Sequence, residues 1–266
     1  MLLKEFRNHF NKELSAIFPQ TEIDSFFFLL IEKELDLQRI DLVLNTQLPV
    51  AEEKFKHISN SLSRLKAQEP IQYILGETEF YGFPFKVTKD TLIPRPETEE
   101  LVEWIITEVA KLQPCNVATF SILEIGTGSG CIPISLAKKI PKATISSIDV
   151  SKKALTIAKE NALLNAVNIY FIEQDILNTE ELSQQYDVIV SNPPYVRELE
   201  KKEIKPNVLE NEPHLALFVA DNNPLIFYSK IADLAKKHLS EKGVLYFEIN
   251  QYLGKETVEM LSEKGF

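Results

Sequence analysis

The chain is poor in the residues that build metal centres and disulfide scaffolds. It has two cysteines, Cys115 and Cys131, and four histidines, His9, His57, His214 and His238. Two thiols make no disulfide framework and no zinc site, and the scattered histidines form no ligand spacing. Basic residues are also short: 29 Lys and Arg against 39 Asp and Glu leave a net charge of −10. A broad electrostatic grip on nucleic acid needs clustered Lys and Arg, so this balance argues against one, a local basic patch aside. The longest plain apolar run, Phe26 to Ile31, is too short to cross a bilayer. The start, Met1-Leu2-Leu3-Lys4-Glu5, lacks the apolar core of a signal peptide. No membrane and a reducing cytoplasm are the expectation. What is present is ordinary for a globular protein: 44% hydrophobic and 26% charged residues, at a length that allows one large domain or a small domain plus a medium one.

The first third reads as helices. Leu3, Phe6, Phe10, Leu14 and Ile17 recur at helical spacing. Thr21 with Asp24 resembles a capping box opening a helix through Phe27, Leu30 and Ile31. Ala51, Phe55, Ile58, Leu62 and Leu65 make a third stripe, closed by Pro70. Residues 1–73 are expected to form an all-α bundle that docks a protein substrate. Residues 74–96 follow as a linker: a short β-hairpin turning near Gly82, then a proline-rich stretch. From 97 to 266 the pattern changes again. A helix opens near Glu97, and strands then alternate with helices, the signature of an α/β fold with a parallel sheet. Candidate strands are Phe120–Ile125, Thr144–Asp149, Asn168–Glu173, Tyr186–Ser191 and Gly243–Ile249. Candidate helices lie near 131–139, 151–163 and 224–239, the last with Asn223 as N-cap and Pro224 as its first residue. Gly265-Phe266 looks set to enter another strand, so the complete fold is expected to extend past Phe266.

The most informative stretch is Ser191-Asn192-Pro193-Pro194-Tyr195. It follows the buried-strand pattern Asp187-Val188-Ile189-Val190. Paired prolines donate no N–H and end the ladder, which places Asn192 at the strand's carboxyl end, where open α/β sheets bind ligands. The Asn192 side-chain carbonyl, the Pro193 backbone carbonyl and the Tyr195 ring would form a planar slot, with Pro194 stiffening it. Two acceptors beside an aromatic face suit a planar group bearing an NH2. The plain alternative is a strand-ending turn.

Glycine is scarce, eight in all, yet Gly126, Gly128 and Gly130 cluster in Glu124-Ile125-Gly126-Thr127-Gly128-Ser129-Gly130, between a strand and a helix. A dinucleotide fingerprint would need glycine at position 131 or 133, where Cys131 and Pro133 stand, and the Lys-Ser/Thr ending of a phosphate loop is missing. An acidic residue followed by spaced glycines instead suits a ligand with an amino acid tail, its carboxylate received by loop N–H groups. Asp149, ending the next strand, can accept from both ribose hydroxyls, or it can simply brace the helix opening near Ser151. Asp175 can accept from an adenine amino group, with Ile176 packing the ring. For Glu124 two readings stand: it meets the ligand, or it simply orients the loop. Cys131 reads as a small core residue.

Together these residues resemble class I S-adenosylmethionine-dependent methyltransferases acting on planar nitrogen. The stretch Ile93-Pro94-Arg95-Pro96-Glu97-Thr98-Glu99, with Glu79-Phe80-Tyr81-Gly82 and the helical N-terminus, narrows the resemblance to the HemK/PrmC family of peptide chain release factor glutamine methyltransferases. The resemblance implies a Rossmann-like sheet. The cofactor is S-adenosylmethionine, leaving as S-adenosylhomocysteine and held by Glu124, Gly126, Thr127, Gly128, Ser129, Gly130, Asp149, Asp175, Ile176 and Asn192. It implies Asn192, Pro193 and Tyr195 as catalytic residues and Asn192 to Tyr195, Pro194 included, as the substrate slot. The implied substrate is the glutamine of the Gly-Gly-Gln motif of a release factor, with no stable nucleic-acid partner and no metal. A nucleic-acid adenine methyltransferase, a ribosomal-protein glutamine methyltransferase and a non-catalytic scaffold are the alternatives. Pro133, Asp221-Asn222-Asn223 and Asn250 depart modestly from the family pattern.

Overall fold

A computed structural model describes residues 2–44, 48–112 and 120–266, so Cys115 lies outside the described residues. In chain order the elements are helices α1 (Leu3–Leu14), α2 (Gln20–Leu35), α3 (Arg39–Leu44), α4 (Glu52–Lys66) and α5 (Ile71–Leu75) and strands β1 (Glu77–Phe80) and β2 (Phe83–Lys86). There follow α6 (Pro96–Leu112), β3 (Phe120–Ile125), α7 (Cys131–Lys139), β4 (Ala143–Asp149), α8 (Lys152–Leu164), β5 (Tyr170–Glu173), β6 (Tyr186–Ser191) and β7 (Val196–Arg197). The last are α9 (Pro206–Asn211), β8 (Phe218–Val219), α10 (Ile226–His238), β9 (Leu239–Phe247) and α11 (Gly254–Glu263). The chain divides into two compact units, Met1–Gly76 with Pro206–Asn211, and Glu77–Lys205 with Glu212–Phe266.

The first unit is helical. Leu3, Phe6, Phe10 and Leu14 bury one face of α1, and Ile23, Phe27, Leu30 and Ile31 one face of α2. Phe10 and Phe27 meet edge to face at 5.4 Å between ring centres, a favoured aromatic arrangement. Ile17 lies beyond the end of α1 and is exposed. The Thr21 capping box does not form. Pro19 takes the N-cap position, and its carbonyl accepts from the N–H groups of Glu22 and Ile23. Thr21 is already inside the first turn, where its side chain has no cap to make. Helix α4 buries Ile58, Leu62 and Leu65. It stops before Pro70, which instead caps α5. In α9, Asn211 Nδ2 donates to the Gln68 carbonyl at 3.5 Å.

The second unit holds a five-stranded sheet in the order β5-β4-β3-β6-β9, parallel throughout. Val188 and Val190 of β6 join the core formed with α6 and α7, while Ile189 joins the core formed with α10. Burial on both faces explains the unbroken apolar run. Each such side chain contributes roughly 1.5–3 kcal/mol. Three expected strands start elsewhere: β4 opens one residue early at Ala143, β5 opens at Tyr170, and β9 opens at Leu239 with a register shift opposite Tyr186 to Val188. Asn223 and Pro224 do not open α10. Asn223 is used in a turn whose N–H reaches the Ala220 carbonyl, and the helix begins at Ile226 behind Leu225.

The β1–β2 hairpin turns at Tyr81 and Gly82, both left-handed (φ 54° and 75°), as a type I′ turn requires. It is fastened to α8. Asn161 Oδ1 accepts from the Lys86 N–H at 2.7 Å, and its Nδ2 donates to the Lys86 carbonyl at 2.9 Å. Asn165 Nδ2 reaches the Pro84 carbonyl at 2.9 Å.

Candidate active site

The sheet changes winding direction between β3 and β6, where ligands enter open α/β sheets. Ile125 and Ser191 are partners at the ends of these strands. The glycine turn leaves one strand here and Asn192 leaves the other. A methyl group placed on Gly126 would lie 3.6 Å from the Asn192 carbonyl oxygen, so the two loops run against each other. Ser191 Oγ donates to the Ile125 carbonyl at 2.6 Å and binds the strand ends together.

The turn is held from below. Gly126 N–H donates to the Ile148 carbonyl at 2.8 Å, and Gly128 N–H to Asp149 Oδ2 at 2.8 Å. Asp149 Oδ1 accepts from the Ser151 N–H at 2.8 Å. Burial raises the Asp149 carboxyl above its ordinary value, against the opposing N–H bonds of Gly128, Ser151 and Val150. Each carboxylate oxygen has a second lone pair, so these bonds leave room for a ligand hydroxyl.

Glu124 is fully buried. Its Oε2 accepts from Ser147 Oγ at 2.5 Å, and Ser147 Oγ meets Thr127 Oγ1 at 2.5 Å. Its Oε1 has no hydrogen-bond partner among the described residues. Burial pushes the Glu124 carboxyl up to about 8, with the Ser147 bond opposing and the Asp149 charge adding. A carboxyl group placed this way braces the turn from beneath. Asp175 accepts from Leu177 N–H at 2.9 Å and Asn178 Nδ2 at 2.6 Å, capping the short 3-10 turn that carries the buried Ile176.

On the other wall, Asn192 Nδ2 donates to Thr98 Oγ1 at 3.4 Å. Thr98 Oγ1 donates to Glu248 Oε2 at 2.7 Å, and Tyr195 Oη donates to Glu248 Oε1 at 3.2 Å. Burial, then Glu248, pushes the Tyr195 phenol up to about 12. Asn250 Nδ2 holds the Tyr195 carbonyl at 2.9 Å. Thr98 belongs to the proline-rich stretch, which is clamped a second time at Glu212. That carboxylate accepts from Arg95 Nη2 at 2.7 Å and from the Ile93 N–H at 3.2 Å.

Between the walls lies a cleft of about 870 Å³ of empty space, its open mouth included. Of the residues expected at the site, Gly126, Gly128, Asp149, Asp175, Ile176, Asn192, Pro193 and Pro194 line it. Glu124, Thr127, Ser129, Gly130 and Tyr195 do not; they lie behind the lining and support it. Sequence reasoning singled out neither Glu248 nor Asn161 for this site. Thr98 was visible only as part of the proline-rich stretch.

The donor set fits S-adenosylmethionine. Glycine backbone at Gly126 and Gly128 leaves open approach, Asp149 offers acceptor oxygens, and Ile176, Phe227 and Ile231 give an apolar wall for a flat ring. Residues 109–216 match the methyltransferase small domain, and residues 5–76 match the PrmC N-terminal domain. The fold is shared with the hMettl16 catalytic domain solved in complex with MAT2A 3'UTR hairpin 6, at a TM-score of 0.52 and 17% identity over 75% of this chain and 71% of that one. This is a class I S-adenosylmethionine-dependent methyltransferase. The release factor glutamine methyltransferase of Flavobacterium psychrophilum is 58% identical over 100% of this chain and 93% of that protein. Those of Bacteroides thetaiotaomicron and Streptococcus pneumoniae are 41% and 39% identical, over 95% and 98% of this chain and 89% of each relative. The chain belongs to the release factor glutamine methyltransferase family.

Proposed function

We propose that the protein methylates the side-chain amide nitrogen of the glutamine in the Gly-Gly-Gln motif of peptide chain release factors. The observation that carries this reading is the orientation of Asn192. Its amide nitrogen is taken up by Thr98, so its carbonyl oxygen is the end left for the cleft. An amide nitrogen is a poor nucleophile because resonance ties up its lone pair. Asn192 Oδ1 and the Pro193 carbonyl accept the two N–H bonds of the substrate amide, aim its nitrogen, and share the positive charge that builds on it. Pro194 keeps this backbone rigid, and Tyr195, behind the lining, supports the slot through its hydroxyl bond to Glu248. The bound cofactor supplies an electrophilic methyl group on a sulfonium. The glycine turn and Asp149 would hold the cofactor, Asp149 through its ribose hydroxyls, and Ile176 with Asp175 would receive the adenine. No strong base is needed before transfer.

The helical residues 1–73 serve as the docking domain for the protein substrate, joined through residues 74–96 to the methyltransferase domain at 97–266. No helix among the described residues is long and apolar enough to cross a membrane. The enzyme works in the cytoplasm, without a stable nucleic-acid partner, in keeping with its net charge of −10.

The test is methyl transfer to purified release factor, read by mass spectrometry of the Gly-Gly-Gln peptide. Wild type adds one methyl to the glutamine. Asn192→Ala lowers turnover by about 10²-fold or more, the cost of losing a charge-stabilising contact, with cofactor affinity unchanged. Unchanged turnover removes Asn192 from the mechanism. Methylation of an oligonucleotide, or of a ribosomal protein in preference to the release factor, overturns the substrate assignment.

A further inference from the structure

The geometry points to Thr98 and Glu248 as a positioning pair that sets which end of the Asn192 amide faces the substrate. The inference rests on the role proposed for Asn192 and adds the cause of its orientation. An amide side chain is nearly symmetrical in shape, and turning it over exchanges an acceptor for a donor at the same place. At this site the exchange is decisive. A carbonyl facing the substrate NH2 accepts its proton, whereas an NH2 facing an NH2 opposes it.

The direction is fixed by counting protons along the chain of contacts. An ionised carboxylate accepts only. Glu248 therefore takes the hydroxyl proton of Thr98 at Oε2 (2.7 Å) and that of Tyr195 at Oε1 (3.2 Å). A threonine hydroxyl has one proton, so Thr98 has none left to donate. It can only accept from Asn192, and it does so from Nδ2 at 3.4 Å. The carbonyl end of Asn192 is thereby turned to the cleft. Thr98 is 2% exposed, so water does not readily supply an alternative proton there. The carboxylate itself is fixed by its backbone: Glu248 N–H donates to the Ser191 carbonyl at 3.1 Å, and its carbonyl accepts from Tyr228 Oη at 3.2 Å. The strand end that carries Asn192 is thus tied to the residue that orients it.

Glu248→Gln isolates this role, because the replacement has the same shape. Tyr195 keeps its acceptor by facing Gln Oε1. The Gln amide nitrogen then faces Thr98 and donates, and the Thr98 proton is released toward Asn192. The Asn192 carbonyl turns to Thr98 and its NH2 enters the cleft. Thr98→Val removes the acceptor without changing side-chain size and leaves the amide free to turn. Thr98→Ser restores the hydroxyl.

The experiment measures kcat and KM for purified release factor in wild type and these three variants. S-adenosylhomocysteine affinity is measured by calorimetry, and thermal unfolding checks the fold. We expect Glu248→Gln and Thr98→Val to lower kcat by about tenfold or more, the scale of a misaligned charge-stabilising group, with KM and cofactor affinity little changed. Thr98→Ser retains most of the turnover. A purely structural role would instead move the unfolding temperature and cofactor affinity together. Wild-type kcat in both Glu248→Gln and Thr98→Val overturns the pairing. If Asn192→Ala is then still inactive, the role of Asn192 stands and only its control by Thr98 and Glu248 fails. If Asn192→Ala is also fully active, the proposed function of the slot fails with it.

Discussion

Gly128 and Gly130 share one turn and one left-handed conformation, with φ of 52° and 83°, yet a methyl group at each would meet different surroundings. At Gly128 nothing lies within 4 Å, and the residue lines the cleft. At Gly130 the methyl would lie 3.0 Å from Ile134 Cδ1 and 3.2 Å from Ala158 Cβ, which pushes α7 away from α8. Both substitutions cost about 1–2 kcal/mol for the left-handed backbone. Beyond that they diverge. Gly128→Ala fills space where a ligand approaches the backbone, so cofactor affinity falls while stability drops only by the backbone cost. Gly130→Ala adds overpacking of about 1–3 kcal/mol, and the folded fraction retains its affinity. Urea unfolding and calorimetry on both variants check the split; equal effects on both measurements would show that the two glycines do the same job. Their cluster was visible in the sequence, but the distinction was not. Whether a glycine faces ligand or helix depends on Ala158, which belongs to another element.

At the scale of elements, Asn161 connects three pieces of chain. From α8 it holds both backbone groups of Lys86 in β2, and its Nδ2 also donates to the Ser129 carbonyl in the glycine turn at 2.9 Å. It is fully buried. Asn161→Ala leaves the Lys86 N–H and both carbonyls without these partners, at about 1–3 kcal/mol for a group left buried and unpaired. We expect a lower urea midpoint together with weaker cofactor binding, because the turn loses its rear support. Normal binding at reduced stability would confine Asn161 to the hairpin. Nothing local marks this residue: its bond to Lys86 spans 75 positions. The strands tell the opposite story. Phe120–Ile125 and Tyr186–Ser191 were readable to the residue, since burial on both sheet faces writes a continuous apolar run. Helix starts were less readable. Thr21 and Asn223 carry good capping chemistry, but Pro19 and a preceding turn had already fixed the backbone on either side of it. Asn192 was legible because two prolines mark its strand end. Glu248 was not, because its partner Thr98 lies 150 residues away.

For the molecule as a whole, carboxyls shifted in opposite directions set opposite slopes on the stability curve. Arg7 holds Asp24 below its ordinary value. Burial pushes Glu200 up, but the Arg197 side chain and N–H, with Asn250, outweigh it and leave its carboxyl low. A carboxyl lowered in the folded state contributes stability above its unfolded value and loses it as pH falls through the folded one. These groups therefore act below the ordinary values of 3.8 and 4.5. Glu124 acts in the other direction. Its carboxyl rises from 4.5 to about 8 on folding, so between these values the folded state holds a proton that the unfolded state releases. Its contribution is complete below pH 4.5, declines as pH rises, and is gone once pH passes the folded value. Glutamine copies the neutral acid in shape and cannot ionise. In Glu124→Gln, the unfolding temperature relative to wild type should therefore climb steadily from about pH 5 to about pH 8 and level off above, because ionisation of the wild-type group is then complete. Parallel curves for the two proteins would mean that Glu124 folds as a carboxylate, and its unpaired Oε1 would then need a cation or water that neutralises it.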